Sequence, residues 1–215
     1  MDMLAWGPIY ANWTLVRTKK LISILGKNWF PGKSILDVGC GHGNNGKRLA
    51  ALGARVTFTD GRPQYVLDIQ REGFPAFVMD NDKEWTVAGP FDLIIHWGLL
   101  YHLNDWKRDL RCALERTPLL CLETTIASSA NDAYEQKTTE GPEGNHQRDN
   151  ALNGIGTILS AAHVETYLTS LGCTFTRYDD EDLDKSGQHR YAWKESDTEG
   201  YEYGHRRFWF IKRGT

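Results

Sequence analysis

Between Ser34 and Gly46 the chain reads Ser-Ile-Leu-Asp-Val-Gly-Cys-Gly-His-Gly-Asn-Asn-Gly, a β-type run that stops at three alternating glycines before a helical stretch. Glycine tolerates positive φ and lets a ligand approach the backbone, and a helix start offers unpaired N–H groups. The arrangement suits a nucleotide. Gly41–Gly46 matches Gly-x-Gly-x-x-Gly, a spacing that also fits a dinucleotide. Asp60 ends the next β-type run, where its carboxylate can accept hydrogen bonds from ribose hydroxyls. Asp80-Asn81-Asp82 ends a third run and offers carboxylate and amide groups to an adenine amino group.

These residues need a scaffold that alternates strands and helices. Strands are expected at Ser34–Val38, Arg55–Thr59, Ala76–Met79, Phe91–Trp97, Leu119–Glu123, Phe175–Tyr178 and Arg207–Lys212. Helices are expected at Asn45–Leu52, Pro63–Arg71, Asp105–Arg116 and Ala161–Leu171. Asn104 or Asp105 can cap the third helix, Pro118 follows its end, and Gly172 can close the fourth. The rhythm predicts one three-layer α/β domain with a mostly parallel sheet. Two polar stretches, 124–160 and 180–204, interrupt it and leave strand ends on the carboxyl edge, where open α/β sheets bind ligands.

Composition narrows the class. The 215 residues are 40% hydrophobic and 25% charged, enough for a buried core and unlike a disordered or fibrous chain. No apolar run approaches the roughly 20 residues of a bilayer span, and the first residues show no secretory signal. Cys40, Cys112, Cys121 and Cys173 stand alone, as reduced thiols in a cytoplasmic protein would. The net charge of −3 is uneven: residues 1–60 carry eight Lys/Arg against three Asp, while 131–204 carry six against fifteen Asp/Glu. The basic end leaves a nucleic-acid partner open without favouring one. The acidic stretch favours a neutral or cationic small molecule over a polyphosphate.

Leu36-Asp37-Val38-Gly39-Cys40-Gly41-His42-Gly43 resembles the first motif of class I S-adenosylmethionine-dependent methyltransferases. Asp60 matches their acid after the second strand, Asp80 their residue after the third, and Phe91–Gly98 their fourth-strand motif. The resemblance implies a Rossmann-like, seven-stranded sheet whose last strand runs antiparallel. It also implies S-adenosyl-L-methionine as cofactor. The binding residues it implies are Asp37, Gly39, Cys40, Gly41, Gly43 and Asn44 in the turn, then Asp60, Gly61 and Arg62, then Asp80 and Asn81, and finally His96, Trp97 and Gly98. An acid just before the first glycine separates this reading from a nicotinamide fold, and no tyrosine has Lys four residues on, as short-chain dehydrogenases require.

Methyl transfer from a sulfonium is an in-line displacement, so alignment is the main demand, with a base for a hydroxyl or ammonium acceptor. His96, Tyr101 and His102 leave the fourth strand where such groups belong and are the catalytic candidates. No Asn/Asp-Pro-Pro-aromatic run, Pro-Cys nucleophile or Asp/Asn metal cluster follows that strand, which sets aside three subclasses and gives no metal site. Cys121 reads as core packing. Gly98-Leu99-Leu100-Tyr101-His102 is similar to a run in tRNA wobble-uridine carboxymethyl-transferring enzymes, so a tRNA-modifying (carboxy)methyltransferase is the first alternative. A non-catalytic adenosylmethionine-binding protein is the second.

The expected acceptor is an oxygen or nitrogen of a small molecule. The 124–160 insertion, through Arg148, Asn150 and Asn153, is expected to help enclose it, with residues 1–30 as an amino-terminal cap that carries Trp6, Trp13 and Trp29. Gln188-His189-Arg190-Tyr191 and Gly204-His205-Arg206-Arg207 add hydrogen-bonding groups near the same edge, although Arg206 and Arg207, at a strand start, are expected to face water.

Overall fold

Short runs of branched apolar residues, buried on both faces, build the centre of the molecule. The computed structural model describes residues 7–139, 151–194, 202 and 204–214. Its strands are β1 (Ser34–Val38), β2 (Arg55–Asp60), β3 (Ala76–Val78), β4 (Leu93–Trp97), β5 (Leu119–Thr125), β6 (Glu135–Thr139), β7 (Ile155–Leu159), β8 (Thr174–Tyr178) and β9 (Arg206–Lys212). All but β6 and β7 form a seven-stranded sheet in the order β3-β2-β1-β4-β5-β9-β8. β1 to β5 pair in parallel, and β9 lies antiparallel between β5 and β8. This is the expected three-layer, Rossmann-like sheet with its last strand reversed.

The helices are α1 (Gly7–Leu25), α2 (Asn44–Ala50), α3 (Pro63–Arg71), α4 (Trp106–Arg116), α5 (Ala161–Ser170) and α6 (Glu181–Asp184). Strand periodicity sorts the core into two layers. Leu36, Val38, Ile94, Leu120 and Leu122 pack with Leu110 of α4 and Val164 of α5. Ile35, Phe58, Ile95 and Phe208 face Leu21 of α1, Leu49 of α2 and Ile69 of α3. The caps behave as their side chains dictate: Asp105 accepts the Arg108 amide, Ser160 accepts the His163 amide, and Gly172 takes φ 72° after α5.

Boundaries shift where a local bond competes with the ladder. Pairing in β4 starts at Leu93 rather than Phe91, because the Phe91 amide goes to the Arg116 carbonyl, and the Asp92 carboxylate accepts the Ser34 amide. The second helix runs Asn44–Ala50 rather than Asn45–Leu52, since Gly53 draws the chain into a turn.

Two elements escape the sequence patterns. Helix α1 buries Thr14, Arg17 and Thr18 beside Trp13 and Leu21, so its inward face is not an apolar stripe. The 124–160 insertion, expected as an irregular loop, contains the β6–β7 hairpin, whose first strand is mostly exposed. Arg206 and Arg207 are buried, correcting the expectation that they face water. Asp179 and the Tyr191 and Trp193 carbonyls hold the Arg207 guanidinium, which stacks 3.8 Å from the Trp193 ring. All four cysteines are free and buried, and Trp97 Nε1 donates to Cys121 Sγ at 3.3 Å.

Candidate active site

The turn between β1 and α2 forms because three glycines accept a backbone that side chains resist: Gly39, Gly41 and Gly43 have φ of 61°, 52° and 72°. A Cβ on Gly39 would meet the Leu99 side chain at 2.8 Å, whereas one on Gly41 would meet nothing within 4 Å, so the turn opens there onto a cavity. Asp37 anchors the turn from below. Its Oδ2 accepts the Gly46 amide at 2.9 Å, and burial pushes its carboxyl up to about 7. Cys40 also borders the cavity, and burial, with Asp37 and Asp60 nearby, raises its thiol well above the usual range.

Asp60 stands across the turn. One oxygen accepts the Gly41 amide and the other the Arg62 amide, each at 2.9 Å, and burial raises its carboxyl despite these bonds and the nearby His102. A carboxylate has about four acceptor positions, so lone pairs remain for ribose hydroxyls. Gly61, Arg62, Asp80 and Asn81 continue the wall, and Trp97, Gly98, Tyr101 and His102 close it from the end of β4. Asp82 ties this rim together: Oδ1 accepts the Asn104 and Asp105 amides at 2.9 Å, and Oδ2 accepts Asn153 Nδ2 at 3.2 Å. Leu152, in the same loop as Asn153, lines the cavity beside Gly61.

The other end is built around Glu123 of β5, which is fully buried. It accepts from Arg17 of α1 at 3.0 Å, from Arg206 of β9 at 3.2 Å, and from the Tyr191 hydroxyl at 2.9 Å. Trp13 Nε1 donates to that hydroxyl at 2.8 Å, and the Arg17 guanidinium lies 3.6 Å from the Trp13 ring. Arg206 reaches the Tyr101 hydroxyl at 3.4 Å. Burial opposes its charge, but Glu123 and Tyr101 hold the Arg206 guanidinium protonated above its usual value. His189 also lines this end; burial, with Arg206 and Arg17 beside it, pushes its imidazole down to about 2.

A profile described as a methyltransferase domain matches residues 13–177. The chain belongs to the methyltransferase-domain family.

This methyltransferase-domain chain is 32% identical over 110 residues to a ubiquinone biosynthesis O-methyltransferase of Methylobacterium sp. (strain 4-46), a match spanning 47% of the chain and 44% of that enzyme. It therefore aligns with less than half the length of that curated relative. Its fold is similar to the N-terminal domain of EvdMO1, solved in the presence of S-adenosylhomocysteine (SAH) and D-fucose, with a TM-score of 0.68 at 16% identity. That similarity covers 94% of this chain and 83% of the other. Magnesium protoporphyrin IX methyltransferase from Synechocystis PCC 6803, with bound SAH, gives a TM-score of 0.63 at 15% identity over 96% of this chain and 85% of that one. The class I resemblance read from Leu36–Gly43 is thus the family of the chain.

Not every expected site residue reaches the methyltransferase cavity. Gly43 and Asn44 turn into α2 and do not line it, and neither does His96. Side chains alternate along a strand, so when Trp97 faces α1 and the cavity, His96 must face α4. There it is fully buried, with Nε2 2.6 Å from Asp109 Oδ2. Asn153 lies on the rim, while Arg148 and Asn150 fall outside the described residues, as does Trp6. Arg17 and Glu123 joined the site without a local signal, since one sits in a helix with no apolar stripe and the other ends an apolar strand. The acidic excess of 131–204 does not set the charge of this end of the wall, which presents Arg17 and Arg206.

Proposed function

We propose that the chain transfers a methyl group from S-adenosylmethionine to an oxygen or nitrogen of a small molecule. The observation that carries this reading is one cavity at the carboxyl edge of the sheet. It joins the glycine turn and Asp60 to a second polar wall formed by Tyr101, His189 and Arg206. The residues fit the cofactor: Gly41 leaves room for close backbone approach, Asp60 has lone pairs left for ribose hydroxyls, and Asp80 and Asn81 line the same cavity with groups that can accept from an adenine amino group.

When bound, adenosylmethionine supplies an electrophilic methyl carbon on a sulfonium. The protein's part is alignment, water exclusion and handling of the acceptor's proton. Helix α1, the loop with Leu152 and the segment with Gln188 border the cavity and restrict water. His102 is the base this reading assigns, because it lines the cavity and an imidazole nitrogen can accept a proton from the acceptor. His189, with its pKa near 2, does not take up a proton there. Tyr101 contributes a hydroxyl to the acceptor side, and the protonated Cys40 thiol does not compete as a nucleophile.

Isothermal titration with SAH and with NADH, followed by product detection from labelled adenosylmethionine in metabolite extracts and in tRNA, tests this. Binding of SAH with product in the small-molecule fraction supports it. Product on tRNA moves the activity to the tRNA-modifying alternative, binding without any product leaves a non-catalytic binder, and NADH binding without SAH binding rejects the cofactor.

A further inference from the structure

The segment after β3 brings two acceptors to the cavity, Asp80 and Asn81, and they are held in different ways. Asp80 is occupied on its surface side: Oδ1 accepts the Asp82 amide at 3.0 Å, and Oδ2 pairs with the exposed Lys83 at 3.1 Å. Asn81 is 5% exposed and is held from the interior. Its Nδ2 donates at 2.7 Å to Oδ1 of the fully buried Asp109, its only side-chain hydrogen bond among the described residues. Trp85 Nε1 donates to the same oxygen at 3.0 Å. An indole N–H can only donate, so that oxygen must accept, and Asn81 must turn its NH2 group toward it. A flipped amide would set two acceptors against each other in a place withdrawn from water. The carbonyl Oδ1 of Asn81 is therefore the end left for the cavity, and it has no partner among the described residues.

We propose that Asp109 is a positioning residue for cofactor selectivity: it locks the Asn81 amide with its oxygen toward the cavity, so that the site takes a 6-amino purine and refuses the 6-oxo counterpart. The inference rests on the methyltransferase reading and deepens it. An exocyclic amino group donates to Asn81 Oδ1, whereas an oxo group in its place meets that oxygen lone pair to lone pair. A free asparagine would serve both purines by turning its amide over. Asp109 forbids the turn, because the flipped amide would cost the carboxylate a donor and bring an oxygen in its place. Asp109 does not line the cavity, so it acts on the cofactor only through Asn81. His96, 2.6 Å from Asp109 Oδ2, and Trp85 fix the carboxylate in turn, which makes the selectivity a property of β4, α4 and the segment after β3 together.

The test is isothermal titration of the full chain with SAH and with S-inosylhomocysteine, its 6-oxo counterpart. The parent is expected to bind SAH at least about tenfold more tightly. Asn81→Ala and Asp109→Ala are expected to lower that ratio at least about fivefold, since the first removes the oriented oxygen and the second frees the amide to turn. The ratio separates positioning from simple loosening, because a merely structural loss weakens both ligands alike. Asn81→Ala changes one side chain at the cavity wall, so it keeps the test open if the buried Asp109→Ala does not fold. Equal binding of the two ligands by the parent overturns the inference. An unchanged ratio in Asn81→Ala overturns it by giving the 6-position to another residue, and an unchanged ratio in a folded Asp109→Ala overturns it by leaving Asp109 a structural role alone. Failure of both ligands to bind the parent is a separate result that rejects the methyltransferase reading.

Discussion

His96 Nε2 donates to Asp109 Oδ2 at 2.6 Å, and neither side chain is exposed. The other Asp109 oxygen accepts from Asn81 at 2.7 Å and from Trp85 at 3.0 Å, so one carboxylate joins β4, α4 and the segment after β3. Asp109→Ala leaves three buried donors without an acceptor and should cost about 3–5 kcal/mol of stability. His96→Gln should cost about 1–3 kcal/mol while SAH affinity changes less than about threefold. Urea unfolding and calorimetry check both. Loss of methyl transfer in a His96 variant of unchanged stability would restore a direct catalytic role.

Asp60 is held by the Gly41 and Arg62 amides with its oxygens at the cavity wall. Asp60→Ala should weaken SAH binding by about 1–3 kcal/mol through lost charged hydrogen bonds. Unchanged affinity in a folded variant would remove the ribose role.

Gly46 lies inside α2, where alanine would normally favour the helix by about 1 kcal/mol. A Cβ there would press on the Phe58 ring and lie 2.8 Å from Asp37 Oδ2. Overpacking costs about 1–3 kcal/mol and should win, so Gly46→Ala is expected to destabilise the fold and to weaken SAH binding through Asp37. A variant more stable than the parent would contradict the packing described.

The Asp37 carboxyl is raised by burial from 3.8 to about 7. A folded protein that holds a proton longer than the unfolded chain loses stability as pH rises from the unfolded pKa to the folded one, and no further above it. Asp37→Asn keeps an acceptor for the Gly46 amide but never ionises. Its stability relative to the parent should therefore improve by about 2–3 kcal/mol between pH of about 5 and 8, read by urea unfolding. A difference that stays constant with pH would reject the shift.

Leu152 packs against Gly61, close enough that a Cβ on the glycine would meet it at 2.9 Å. Backbone amides of 151–159 should gain protection in hydrogen exchange when SAH binds, as expected of a cover. Exchange that is equally fast in both states would make this loop a bystander.

The half of the site around β1, β2 and β3 was legible in the sequence because its determinants are local. A turn that needs positive φ requires glycine, an acid ends each neighbouring strand, and the strands are short apolar runs punctuated by breakers. Even there, the parity of β4 was hidden. A strand buried on both faces shows no apolar–polar alternation, so nothing local said that Trp97 would face the cavity and His96 would face α4. The other half was decided by the tertiary structure. Arg17, Glu123, His189, Tyr191 and Arg206 lie in four separate segments, and their charges and hydroxyls find one another only when α1 and the segment after α6 close over the β5–β9 edge. Buried polar groups are specified by their partners rather than by periodicity, which is why Arg206 read from the sequence as a solvent-facing residue and proved to be part of the wall.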